Sequence, residues 1–190
     1  MRMRRFFITG VALSLLLVSG LAAWGQASSS SDETLVKDFE TRVKQYMDLR
    51  TKEAGTSPKP TNSAAKLADT REQMAEKLRQ ARAGAKQGDI FTPAIAGYFR
   101  RQIAATMAGP QGSKIRASLR HAEPLKALSL KINEKYPEGV PLQSTPPSLL
   151  LNLPALPKEL QYRLVDDSLL LYDSATNVIV DLVPHVLPQK

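Results

Sequence analysis

Few residues of this chain have a type and spacing suited to chemistry. The only histidines, His121 and His185, lie far apart in sequence. His121 and Glu123 could offer two ligands to a metal, but a metal site needs three or four converging groups. A hydroxyl nucleophile would need one of these histidines or a lysine as its base, and no G-x-S-x-G elbow is present. Carboxylates are better placed: Asp166, Asp167, Asp173 and Asp181 cluster near the C-terminus, and paired carboxylates can share general acid and base work when burial separates their pKa values. Asp166, Asp167 and Asp173 nevertheless fall at expected turn positions, where aspartate bonds its own backbone. Asp181 interrupts an apolar run instead, which points to a structural ion pair, with Arg163 as the partner. No catalytic residue, metal ligand or cofactor is therefore expected. A small hydrolase using these carboxylates is the alternative.

Four aspartates so spaced need strands and tight turns to hold them. Leu160–Val165, Ser168–Asp173 and Asn177–Val183 are short apolar runs separated by Asp166-Asp167 and by Ser174-Ala175-Thr176, which predicts a three-stranded antiparallel meander. Leu169-Leu170-Leu171 and Val178-Ile179-Val180 do not alternate, so both faces of this sheet should be covered. Upstream, Leu128, Leu130 and Ile132 fall on one side of a further expected strand, Tyr136–Gly139 reads as a turn, and Thr145-Pro146 as a cap opening a short helical turn through Leu149–Leu151.

The first part of the chain is helical by period. Ser30-Ser31-Asp32-Glu33 matches a capping box opening a helix over about 32–53, with Leu35, Phe39, Val43, Tyr46 and Met47 on its apolar side. A break over 55–62 precedes a second helix over roughly 63–86, whose apolar face is thin. Thr92 and Pro93 then supply an N-cap and an N1 proline for a third helix carrying Ile95, Phe99, Ile103 and Met107, stopped by an αL cap at Gly109 and by Pro110. A fourth, over about 111–122, turns Ile115 and Leu119 inward. The fold class is α+β: a basic helical region over 28–124 and a small β region over 125–190.

Residues 1–27 have the three parts of a cleavable export signal. Arg2, Arg4 and Arg5 precede an apolar run from Phe6 to Val18, and Gly25-Gln26-Ala27 offers small residues at −3 and −1. Met3–Thr9 resembles a twin-arginine motif without its serine and lysine, whereas the short cationic start and leucine-rich core suit the general secretory route. The mature protein would be periplasmic or secreted, without a transmembrane segment. With no cysteine in the chain, it would fold without disulfides and without a lipid-anchored cysteine.

The chain carries a net charge of +8. Residues 28–126 hold 18 basic and 11 acidic residues, and 127–190 hold 5 and 7. Arg100, Arg101, Lys114, Arg116 and Arg120 could form a basic patch across two helices, facing an envelope protein or an anionic surface. Nucleic acid is not an expected partner, because the cations are not interleaved with aromatics. The expected function is a non-enzymatic binding or structural component of the envelope.

Two stretches resemble a family of exported bacterial proteins without assigned activity. They are Gly88–Pro93 leading to Tyr98-Phe99-Arg100-Arg101, and Tyr136–Gly139 through Leu142, Pro146-Pro147, Leu156-Pro157 and Tyr162-Arg163 to Asp173, Asn177 and Ile179-Val180-Asp181. The meander from Leu156 to Val183 is also similar to the small β module of periplasmic nickel/cobalt homeostasis proteins, which would imply a metal-stress accessory role.

Overall fold

The computed structural model describes residues 23–55, 60–120, 130–137, 139–140 and 145–188. Its elements are α1 (Ala23–Ala54), α2 (Ala64–Ala81), α3 (Pro93–Ala108), α4 (Gly112–Arg120), α5 (Pro147–Leu150), β1 (Leu160–Val165), β2 (Ser168–Asp173) and β3 (Val178–Val183). The α+β reading holds: the strands form one antiparallel sheet in the order β1-β2-β3, at the expected positions to within one residue. No helix of the described residues is long and apolar enough to cross a membrane.

The apolar periods do the packing anticipated for them. Phe39, Val43 and Tyr46 of α1, Leu78 of α2, and Ile95, Phe99, Ile103 and Met107 of α3 are buried together with Leu160, Tyr162, Leu164, Leu169, Leu171, Val180 and Val183 of the sheet. Phe99 is central to the aromatic part of this core, with ring centroids 5.1 Å from Phe39, 5.0 Å from Phe91 and 5.7 Å from Tyr162. The other sheet face buries Val165, Leu170, Tyr172, Ile179 and Leu182 against Tyr136, with Leu130, Ile132 and Val140 alongside. Both faces are covered, which is why β2 and β3 carry unbroken apolar runs.

A bulge explains the missing alternation in β3. Leu171 pairs with Asp181 but the next residue, Tyr172, pairs with Ile179, so Val180 is an extra residue. Such an insertion bends the strand and re-aims the side chains beside it. Val180 and Asp181 thereby both turn to the helical side, while Ile179 and Leu182 keep the opposite face.

Caps and turns show where local pattern was sufficient. Thr92 caps α3 with Pro93 in its first turn, and Ser63 caps α2. Gly112 opens α4 so close to α3 that an added Cβ would lie 1.8 Å from the Met107 carbonyl oxygen, so only glycine fits there.

Five local expectations are corrected. Helix α1 begins upstream of Ser30 and runs through the serines, so the capping box does not start it; Asp32 instead meets Arg101 of α3 at 2.5 Å. Helix α2 ends at Ala81, five residues short of the expected 86, where Asn133 Nδ2 donates to the Arg79 and Arg82 carbonyls. Gly109 is extended rather than left-handed (φ −75°, ψ −176°) and still donates to the Ala105 and Thr106 carbonyls.

Leu130–Ile132 form no strand, and residues 126–129 lie outside the described residues. Edge pairing starts later, where Asn133 N donates to Ile179 O, Ile179 N to Glu134 O and Tyr136 N to Asn177 O. Period-two alternation over so few residues marks a surface that can pack but does not fix the hydrogen-bond register. Finally, Thr145 does not cap α5; its Oγ1 accepts the Leu164 amide, and α5 starts without a side-chain cap. Of the expected Tyr136–Gly139 turn, Glu138 lies outside the described residues, and Gly139 has φ +74°.

Asp181 ties the Gly88–Phe91 loop to the sheet. Its carboxylate is fully buried and accepts the amides of Gly88 (3.0 Å), Ile90 (2.8 Å), Phe91 (2.8 Å) and Leu182 (2.8 Å). Gly88 sits at φ +92°, a backbone region in which side-chain-bearing residues are strained, and this turns its amide toward the acid. Replacing Asp181 by alanine would leave several buried amides without an acceptor. Urea unfolding should show a loss of roughly 3–5 kcal/mol, with α3 the helix most affected in hydrogen exchange. A loss below about 1 kcal/mol would show that the loop is held by its apolar contacts alone.

Candidate functional site

Asp173 and Asp181 are the acids with the strongest claim to chemistry, since both are fully buried. Turn chemistry accounts for half of Asp173: its Oδ1 accepts the amides of Ala175 and Thr176. The other oxygen reaches across the molecule to α1, where Arg50 Nε lies at 2.6 Å and the Tyr46 hydroxyl at 2.9 Å. Arg50 is itself fully buried and also donates to the Gly55 carbonyl. Sequence reasoning missed this ion pair, although Arg50 continues the spacing of Phe39, Val43 and Tyr46 down the buried side of α1. An arginine on an apolar stripe signals a buried acceptor.

The expected Asp181–Arg163 pair does not form. Asp181 is satisfied by backbone amides, and Arg163 donates to Gln161 Oε1 on its own strand. The two residues lie on opposite sides of the sheet: Arg163 pairs with Leu170 and Asp181 with Leu171, neighbours that point to different faces.

Between the two acids lies Arg82 of the α2 C-cap. Its guanidinium stands over the Tyr46 ring at 5.1 Å and donates to the Val180 carbonyl at the bulge. Burial lowers the pKa of this guanidinium from its usual value. Burial, followed by the nearby Asp173 carboxylate, raises that of the Tyr46 phenol well above its ordinary value. The cluster is a closed set of charges and dipoles joining α1, α2 and the sheet.

The remaining acids serve the hairpin. Asp166 takes a left-handed backbone (φ 53°) in the two-residue loop, while Asp167 accepts from Ser168 Oγ and meets His185 Nδ1 at 2.5 Å. Asp167 lies between serine and histidine, so the histidine is not placed to take the serine proton as a base must. Among the described residues no three His, Cys, Asp or Glu side chains are grouped to hold a metal. His121 and Glu123 lie outside them.

Three of the five cations of the expected patch have partners among the described residues. Arg100 Nε and Nη2 donate to the Pro184 carbonyl at the end of β3, and Arg101 pairs with Asp32 of α1. Arg116 Nη1 donates back to the Met107 carbonyl at the end of α3, and Lys114 is exposed. The side chain of Arg120 lies outside the described residues. Arg100 is thus engaged by the residue that follows β3, and Arg101 by α1.

An open concavity lies elsewhere, a groove of about 620 Å³ beside β1, walled by Leu150, Leu153, Pro154 and Leu156 opposite Tyr162 and Arg163. Its signal in the sequence was indirect: Pro154 and Pro157 keep the preceding segment extended and apart from the strand. No family model, curated protein or solved structure matches the chain.

Two outcomes follow from the buried cluster. Arg50→Met should cost about 3–5 kcal/mol, because the Asp173 charge loses its counterion. The double variant Arg50→Met/Asp173→Asn, which keeps an acceptor for the turn amides, should recover much of that in denaturant titration; no recovery would show that the charge is not the cause. All five tyrosines have phenol pKa values raised chiefly by burial. The unfolded chain then loses phenolic protons first, so this stability is fully present below pH about 10 and declines above it. Tyrosinate absorbance should therefore rise together with loss of helix; a normal ionisation step preceding unfolding would contradict it.

Proposed function

We propose that the protein is an exported, non-enzymatic binding component of a bacterial envelope, acting through its surfaces rather than through a reactive centre. The observation supporting this reading is the saturation of Asp173 and Asp181. Both carboxylates are held by four donors each, so neither has an oxygen left for a substrate proton or a water nucleophile.

Export rests on the pattern of residues 1–27. Cleavage after Ala27 is compatible with the packing. Among the described side chains of α1, the first packed on the core are Leu35 and Val36, well downstream of Ala27. Lys66 and Lys77 of α2 and Lys114 of α4 are exposed and have no ion-pair partner among the described residues, leaving charge for an anionic surface.

N-terminal sequencing of protein recovered outside the cytoplasm should begin at Ser28; recovery of Met1 in a membrane fraction would overturn cleavage. The mature protein should co-sediment with phosphatidylglycerol vesicles at low salt and release at about 1 M salt, where the screening length is ~3 Å. Lys66→Gln/Lys77→Gln/Lys114→Gln should weaken that binding several-fold with unchanged circular dichroism. Equal binding by parent and variant would remove these lysines from the surface that binds.

A further inference from the structure

The two edges of the sheet are treated differently. Beside β3 the segment Asn133–Tyr136 supplies and accepts backbone hydrogen bonds, with Lys135 bridging Val178, so that edge is closed. On β1 the outward amides of Leu160 and Leu164 are taken by non-strand groups, the Pro157 carbonyl at 2.9 Å and Thr145 Oγ1 at 2.9 Å. Backbone amides alternate in direction along a strand, so the Tyr162 amide between them also points outward. It has no acceptor among the described residues.

The groove runs along this same edge. The apolar side chains of Leu150, Leu153 and Leu156 form its far wall, and Leu151 at the adjoining end of α5 is 79% exposed, the one large apolar side chain left so open among the described residues. Arg163 lines the near side. Its guanidinium has no acidic partner among the described residues, and its Nε is enclosed without any acceptor. Among the described residues, an uncapped strand amide, an apolar wall and an arginine without an acidic partner occur together.

We propose that the β1 edge receives an extended peptide segment of a partner protein, one carrying apolar side chains and a carboxylate, laid along the groove and hydrogen-bonded at the one uncapped amide of β1. A backbone carbonyl of that segment accepts the Tyr162 amide, its apolar side chains fill the groove, and its carboxylate neutralises Arg163. A second copy of this chain fits less well, since Leu160–Val165 contains no acid and self-pairing would leave Arg163 uncompensated. The proposal rests on the reading of the protein as a binding component and names the partner that this site would take.

The test uses the mature chain and a labelled, end-blocked hexapeptide of alternating valine and glutamate, with the valine–lysine peptide as control, read by fluorescence polarisation. The glutamate peptide should bind and the lysine peptide should not. Arg163→Gln should weaken binding at least tenfold and Arg163→Lys should restore part of it. Ala155→Trp, at an exposed position of the groove, should abolish binding with unchanged circular dichroism. N-methylation of the central peptide amides should also abolish it, which a purely ionic contact would not. Equal binding of both peptides, no binding of either, or undiminished binding by Ala155→Trp would each overturn the proposal. So would concentration-dependent dimerisation of the mature chain that Ala155→Trp removes, which would make a second copy the occupant. These outcomes leave export and vesicle binding unaffected, so failure of the groove is distinguishable from failure of the broader reading.

Discussion

A carboxylate removed from water must be given donors by the protein around it, and Asp173 and Asp181 place that demand on both sides of the molecule. Neither can be satisfied by the sheet alone. Asp173 takes two amides from its own turn and needs the Arg50 guanidinium and the Tyr46 hydroxyl from α1. Asp181 takes one adjacent amide and three from the loop before α3. Apolar burial drives the helices onto the sheet, but its energy changes little when a helix slides or rotates slightly. The two acids remove that freedom, because a shift of one residue would leave a buried charge without donors. Fixing a unique arrangement is the role best suited to such groups, since replacing them with apolar residues often costs little overall stability. In a chain without cysteine this fixing has no covalent substitute.

The arginines follow the same logic and alter the meaning of the net charge. Arg50, Arg82, Arg100 and Arg116 each donate to a backbone carbonyl at the end of a helix, at the β3 bulge or at the end of a strand. A guanidinium presents several donors in a rigid plane and keeps its charge when partly buried, which a lysine ammonium does less well. Much of the positive charge counted along the helical half is therefore internal wiring. The exposed lysines are what an external anion would meet. Counting basic residues along a sequence merges these two populations: of the five cations singled out, Arg100, Arg101 and Arg116 are engaged by the Pro184 carbonyl, Asp32 and the Met107 carbonyl.

What the sequence made legible was local or periodic. Thr92-Pro93, the i+4 series from Ile95 to Met107, and the three apolar runs of the meander each contain their own information, so fold class and strand positions followed. The misread elements depend on partners distant in the chain. Helix α1 ignores its capping box because Ser28–Ser31 can themselves be helical, and a cap signal only permits a start. Three of the four Asp181 donors lie some ninety residues upstream, on amides that leave no mark in residue type apart from Gly88. Arg50 carried a readable sign on an apolar stripe, but the identity of its acceptor depended on how the sheet sits against α1. The groove was least legible, because it is formed by the separation between β1 and a proline-held segment, and separation is a property of the packed molecule.

An exposed strand edge is a hazard that folded proteins usually manage by pairing, capping or charging it. This molecule applies all three, unevenly. The β3 edge is paired by Asn133–Tyr136. The β1 edge is capped at Leu160 and Leu164 by Pro157 and Thr145, and charged by Arg163. Among the described residues the caps flank a single unpaired position at Tyr162, too short to template pairing with an arbitrary strand. Arg163 adds a charge condition that β1 itself cannot meet. The same devices that suppress indiscriminate strand addition therefore define what a permitted addition must bring, and protection and selectivity at this edge have one physical basis.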